Sequence, residues 1–224
     1  SGMATKKMIH RIKQINPDII VLHHIHGYFL NMKFLFEYLR SSNIPVVWIF
    51  HDCWSITGHC TYFSLARCEK WKTLCCNCAQ SNEYPSSYLF DRSKRNYLLK
   101  KRLFNSLNNL TIVSVSKWLD KIVSESFLSK TQHLFICNGV DVSRFYPHSK
   151  FFVLDQYSIP KSKKILLGCA TTWSKRKGLA YYCDLARKLD EKFIIVLVGL
   201  SRKQMLKLPE NIFGIKRTES IDEM

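Results

Sequence analysis

Asn16-Pro17-Asp18-Ile19-Ile20-Val21-Leu22-His23-His24-Ile25-His26-Gly27 is the stretch from which the fold can be read. Ahead of it, Ala4 to Ile15 places Met8, Ile9, Ile12 and Ile15 at helical spacing, and Asn16-Pro17-Asp18 stops that helix. Behind the stop, Ile19 to Leu22 is a short β-branched run of strand length, and it ends abruptly in histidines and a glycine. Helix, stop, buried strand, polar strand end: the same grammar then repeats. Asn31 to Arg40 reads as a helix, and Pro45 to Phe50 as a strand ending in His51-Asp52-Cys53-Trp54. After an irregular stretch come Asp91 to Asn105 (helix), Leu110 to Val115 (strand), Ser116 to Leu128 (helix) and His133 to Cys137 (strand). Such β-α-β alternation predicts an α/β fold, a parallel sheet with helices on both faces.

A second unit begins near Pro147. Its order is Lys164 to Leu167 (strand), Gly178 to Leu189 (helix), Phe193 to Val198 (strand), Arg202 to Leu206 (short helix) and Ile212 to Ile215 (strand). The predicted domains are therefore 1–147, with a cysteine-rich loop over 53–90, and 148–224. Two such units in tandem with a cleft between them is a common enzyme plan. The second is short for a doubly wound sheet and is expected to be incomplete.

Composition narrows the partners. With 34 Lys+Arg against 17 Asp+Glu, the chain of 224 residues carries a formal charge of +17. That excess points to anionic partners: nucleic acid, acidic lipid or a phosphorylated substrate. No apolar run approaches the roughly 18 to 20 residues that span a bilayer. The opening Ser1 to Lys7 is not followed by the apolar core of a signal peptide. The 9 cysteines then read as thiols in a reducing compartment, and the expected location is the cytoplasm.

Four segments can carry chemistry. His23-His24-Ile25-His26-Gly27 and His51-Asp52 each follow a strand, and ligands of open α/β sheets sit at the carboxyl ends of strands. An imidazole there can bond a sugar hydroxyl or a phosphate, or simply satisfy local backbone. Cys60, Cys68, Cys75 and Cys78 supply four thiols in a loop without regular structure; they read either as a structural zinc site or as free thiols or a disulfide. The basic residues Arg92, Lys94, Arg95, Lys100, Lys101 and Arg102 lie on one helix, with Tyr97 and Leu98 turned inward. They form a solvated face or a patch for an anionic membrane; no zinc-finger, RNP or helix-turn-helix signature supports nucleic acid. Finally, Ser174-Lys175-Arg176-Lys177-Gly178 follows a strand and opens a helix, as phosphate-binding loops do.

Taken in order, the segments form a familiar series. It runs Asn16-Pro17-Asp18-Ile19-Ile20, His24-x-His26-Gly27-Tyr28, Val46-x4-His51-Asp52-x-Trp54-x2-Thr57-Gly58-His59-Cys60 and Asn138-Gly139-Val140-Asp141-x3-Phe145. Trp173-x3-Lys177-Gly178-Leu179 and Val196-x-Val198-Gly199 complete it. The series resembles retaining glycosyltransferases of the GT-B fold, family 4, of the bacterial capsule and exopolysaccharide type.

The resemblance implies two Rossmann-like units facing a cleft, the first binding the acceptor and the second, incomplete one binding a nucleotide-sugar. It implies that His51 is the catalytic histidine lying against the transferred sugar. Lys177 would neutralise the donor diphosphate, with Gly178, Arg176 and Thr172 beside it. The family's usual arginine ahead of the Lys-Gly pair is replaced here by Ala170-Thr171-Thr172. Gly27, His26, Asp52 and Ser116 would line the acceptor side, and Asn138, Gly139 and Asp141 the crossing between units. A sugar would move with retention from a nucleoside-diphosphate donor to a saccharide or lipid-linked acceptor, at the inner membrane face, with no cofactor required for catalysis. The resemblance further implies a chain truncated at both ends. The alternative expectation is an inactive fragment that acts only as a binding module.

Overall fold

The computed structural model describes residues 1–87, 89–146 and 152–218, and the chain divides into two compact units, Ser1–Val140 and Asp141–Met224. The boundary expected at Pro147 lies outside the described residues.

In the first unit the elements follow in the order α1 (Gly2–Ile15), β1 (Ile20–Leu22), α2 (Met32–Ser42), β2 (Val46–Phe50), α3 (Ser93–Phe104), β3 (Leu110–Ser114), α4 (Lys117–Ser124) and β4 (Gln132–Phe135). Asn16 does end α1, in the left-handed conformation at φ 48°, with its N–H returning to the Ile12 carbonyl. Asn31 caps α2 by accepting from the Phe34 N–H at 3.2 Å. All strand pairs are parallel, in spatial order β1-β2-β3-β4.

That order corrects one expectation. Strands laid down in chain order with right-handed crossovers put every connecting helix on the same face. The covered face carries Ile20, Leu22, Val46, Trp48, Phe50 and Ile112, all buried against α2, α3 and α4. Trp48 stands at its centre, its ring centroid 4.8 Å from Phe104 and 5.5 Å from Phe36. Burial of each such side chain stabilises the fold by about 1.5–3 kcal/mol. On the opposite face Val21 is half exposed and Val47, Ile49 and Thr111 are only partly covered among the described residues. Among the described residues the connecting helices therefore pack on one face of this sheet, although Val113 on the other face is buried.

The second unit runs α5 (Phe152–Gln156), β5 (Lys164–Cys169), α6 (Leu179–Ala186), β6 (Phe193–Val198), α7 (Arg202–Met205) and β7 (Ile212–Ile215). Its sheet is parallel, order β5-β6-β7, and so has three strands among the described residues. One face packs Ile195, Leu197 and Ile212 against Trp173, Ala186 and Leu200; the other packs Val196 and Ile215 against Ile159. The Trp173 indole N–H donates to the Val198 carbonyl at 2.9 Å, tying the loop after β5 to the end of β6. Gly199 must be glycine: its φ is +91°, and a Cβ there would stand 1.7 Å from the Ala170 carbonyl oxygen.

Candidate functional site

The parallel register sets the site. Leu22 lies opposite Trp48, so β1 and β2 present their carboxyl ends, His23 onward and His51 onward, at one edge. The Trp48 indole fixes the first of these by donating to the His23 carbonyl at 3.0 Å.

Four of the chain's 8 histidines meet there. His23 Nδ1 and His51 Nε2 are 3.0 Å apart, with the rings stacked at 5.3 Å. His24 Nδ1 and His26 Nε2 are 3.2 Å apart, and the His24 and His51 rings lie 4.9 Å from each other. Asp52 anchors the group. Its Oδ1 accepts from the Trp54 N–H at 2.8 Å, and its Oδ2 lies 3.0 Å from His26 Nε2 and 3.8 Å from His24 Nδ1. His26 therefore serves as the donor to Asp52 through Nε2, and its Nδ1 lies 3.3 Å from the Tyr84 hydroxyl. His24, His26 and Asp52 also bring three ligand atoms within 4.8 Å of one another, the spacing of a metal-binding triad.

His51 is held below the ordinary histidine pKa. Burial is the main cause, followed by the charges of His24 and His23, and Asp52 opposes them. At neutral pH its imidazole is uncharged. It is therefore suited to exchange hydrogen bonds with a hydroxyl rather than to pair with an anion.

His26 links this cluster to a cavity of about 510 Å³, whose walls include Tyr28, Trp54, His59, Phe90 and Lys100. A cavity of that size, mostly apolar with a few polar groups, suits a small ligand such as a sugar. Gly27, with φ +106°, turns the chain along its edge.

Lys100 lies inside the fold rather than on the surface. Its sequence neighbours place it on the basic face of its helix, but it is 1% exposed. Its ammonium donates to the carbonyls of Trp54 at 2.6 Å and Thr57 at 3.0 Å, and sits 3.4 Å from the Trp54 ring centroid. Burial lowers its pKa well below the usual value, against the pull of Cys75, Asp52 and Cys60. The signal was present: Ser93, Tyr97, Lys100 and Phe104 are the buried stripe of α3. Leu98, expected inward beside Tyr97, is half exposed.

The remaining expected residues are dispersed. Ser116 caps α4, accepting from the Leu119 N–H at 3.1 Å. Asn138 and Gly139 are exposed, and Asp141 accepts from the Ser143 N–H at 3.0 Å and the Ser143 hydroxyl at 2.6 Å, closing a turn of its own. Thr172, Arg176 and Lys177 are exposed in the second unit, where Gly178, at φ 78°, precedes α6. Cys60 and Cys75 are buried, Cys68 and Cys78 half-buried, and all are free thiols.

Comparison with known proteins agrees with this architecture. The glycosyltransferase from Rickettsia africae ESF-5 superposes over 98% of this chain and 52% of its own, with a TM-score of 0.58 at 16% identity. Anabaena Alr3699/HepE, solved in complex with UDP, does so over 98% and 53%, with a TM-score of 0.58 at 14% identity. These likenesses establish the GT-B-type α/β fold with its two parallel-sheet units. In sequence, the chain is 30% identical over 135 residues to the colanic acid biosynthesis glycosyl transferase WcaC of Escherichia coli (strain K12). That match takes in 57% of this chain but 32% of the relative, so the chain spans about a third of the curated protein it matches. The profile of Glycosyltransferase Family 4 matches residues 2–144, which include the whole histidine cluster, the cavity and the cysteine-rich loop, and the chain belongs to that family.

Proposed function

We propose that the chain serves the transfer of a sugar from a nucleoside-diphosphate donor to a saccharide or lipid-linked acceptor, with retention of configuration, in surface polysaccharide synthesis. The observation that carries this reading is the histidine–Asp52 cluster at the carboxyl ends of β1 and β2, opening through His26 onto an aromatic-walled cavity. An acceptor sugar in that cavity stacks its apolar face on Trp54 or Tyr28 and offers hydroxyls to His26. His51, neutral and supported by His23, is the catalytic group beside the transferred sugar. Lys177, with Arg176 and Thr172 nearby in sequence, neutralises the donor diphosphate, so the leaving group needs no metal. The UDP bound to the Anabaena relative supports the nucleotide class.

The cavity rim supports a lipid-linked acceptor at an anionic membrane surface. Tyr28, Leu89 and Phe90 are exposed there by 69%, 86% and 68%, beside the exposed Arg92. Exposed apolar side chains beside an exposed cation suit an acidic lipid interface. No helix among the described residues is long and apolar enough to cross a membrane.

The test combines calorimetry and turnover. Saturable binding of a UDP- or GDP-sugar, together with mass-spectrometric detection of sugar transfer to a polyprenyl-linked saccharide, is the expected result. His51→Ala is expected to abolish transfer with folding intact. No donor binding at millimolar concentration favours the alternative, a binding module that retains only the acceptor side.

A further inference from the structure

β1 and β2 end side by side, and the residues that follow them gather donor atoms. His24 and His26 flank the buried Ile25, the alternation of an extended chain. Asp52 follows the end of β2 by two residues and is itself buried. Three of their atoms form a triangle. His26 Nε2 stands 3.0 Å from Asp52 Oδ2 and 3.2 Å from His24 Nδ1, and His24 Nδ1 stands 3.8 Å from Asp52 Oδ2. Ligands of a tetrahedral zinc ion, each about 2.0–2.1 Å from the metal, lie about 3.4 Å from one another. The three edges bracket that length.

Hydrogen bonding alone accounts poorly for the triangle. His26 Nε2 carries at most one proton and lies within hydrogen-bond distance of two partners. Donated to Asp52, that proton leaves His24 Nδ1 beside a nitrogen with no lone pair to offer. Removed, it lets Nε2 accept from His24 but sets a lone pair against the carboxylate. Either way one edge is badly paired. A single cation between the three atoms meets each of them as an electron-pair donor, and two neutral imidazoles with one carboxylate are a zinc-type ligand set.

The surroundings are also those of a metal site. Asp52 Oδ1 accepts from the Trp54 N–H at 2.8 Å, which orients the carboxylate and leaves Oδ2 for an ion. His26 Nδ1 lies 3.3 Å from the Tyr84 hydroxyl. With Nε2 on a metal, Nδ1 carries the ring proton and donates it to that oxygen, the outer partner that ligating histidines have. The side chain of His24 is 53% exposed, whereas those of His26 and Asp52 are each 10% exposed. The triangle is thus backed by protein and open past His24, which gives an ion its approach. His51 stands outside it, with its Nε2 3.0 Å from His23 Nδ1.

We propose that His24 Nδ1, His26 Nε2 and Asp52 Oδ2 bind one divalent ion of the zinc class, with at least one coordination position left open. Binding moves the His26 ring proton from Nε2 to Nδ1 and draws the three atoms to about 2.0–2.2 Å from the metal. The open position takes water or a hydroxyl of a ligand in the adjoining cavity, whose wall includes His26. The ion ties the end of β1 to the end of β2. It goes beyond the sugar-transfer reading, in which His51 acts and the leaving group needs no metal.

The test titrates the whole chain, freed of metal by chelator, with cobalt and with zinc. About one cobalt is expected to bind, with the visible bands of a four- or five-coordinate ion and no thiolate charge-transfer band. Proton spectra of that form are expected to show hyperfine-shifted ring N–H signals from two histidines. His26→Ala and Asp52→Asn are expected to weaken zinc binding in calorimetry by more than about 100-fold, and His10→Ala to leave it unchanged. Tyr84→Phe is expected to keep the ion with about ten-fold weaker affinity, the cost of losing an outer partner. If the ligand variants do not fold, the cobalt and proton spectra of the unaltered chain still decide. No binding at millimolar cobalt would overturn the proposal, as would affinity unchanged in both His26→Ala and Asp52→Asn. Thiolate bands in place of histidine signals would overturn it too, by placing the ion on the cysteines. None of these readouts measures sugar transfer, so failure here leaves the reading of His51 standing.

Discussion

His51 and Lys100 are both shaped by what surrounds them, and burial lowers the pKa of each. His51 is kept uncharged by burial and by two neighbouring histidines, so its useful form is the neutral imidazole. Because its folded pKa is lowered, its stabilising contribution is complete above the ordinary histidine value of about 6.5 and is lost as pH falls toward the folded pKa. The acid limb of kcat/KM is therefore expected below about pH 6.5. His24→Ala removes a like charge and is expected to move that limb to higher pH, which a pH–rate series reads directly. His51→Ala is expected to cost transfer at least about 100-fold, the range for loss of a general acid–base group. Lys100 is shifted the same way, its pKa lowered by burial, and its Nζ donates to two carbonyls. Lys100→Met leaves the Trp54 and Thr57 carbonyls without their donor and is expected to destabilise the fold by about 1–3 kcal/mol, measured by urea unfolding.

At the scale of elements, α3 is the hinge between chemistry and scaffold. Asp91 sets its start, with Oδ1 accepting from the Ser93 N–H at 2.8 Å and Oδ2 from the Cys78 N–H at 2.9 Å. Burial raises the Asp91 pKa, but the bonds from Ser93 and Cys78 outweigh it and the net shift is downward. A depressed carboxylate contributes stability above its unfolded pKa of about 3.9 and loses it as pH falls through the folded value. Asp91→Asn keeps one acceptor and loses the other of the pair that takes the Ser93 and Cys78 N–H groups, so it is expected to lower stability by about 1 kcal/mol at neutral pH and to flatten the acid side of the stability curve, followed by circular dichroism. Element order was legible because β-branched runs and capping residues are local signals. Phe193–Val198 and Ile212–Ile215 fall where their apolar runs predict them. The short α5 was not foreseen, since its five residues carry too little periodicity to register.

Across the whole molecule, the motif series gave the broad identity, and membership of family 4 bears that out. Two predictions belong to this scale. Binding to vesicles containing phosphatidylserine is expected to fall steeply with salt and to weaken further in Phe90→Glu, read by co-sedimentation. Lys177→Ala is expected to weaken nucleotide-sugar affinity by about 1.5–3 kcal/mol in calorimetry, as loss of a charged hydrogen bond would. Periodicity, stop signals and strand-end polarity are written in consecutive residues, so the sequence alone determined the α/β class, the order of elements apart from α5, and the two histidine-bearing strand ends. Only the tertiary structure decided which face of the first sheet is covered, that His23, His24, His26, His51 and Asp52 form one cluster, and that Lys100 lies inside. Those facts depend on strand order, on register and on which helix face turns inward, and these are fixed by contacts between residues tens of positions apart.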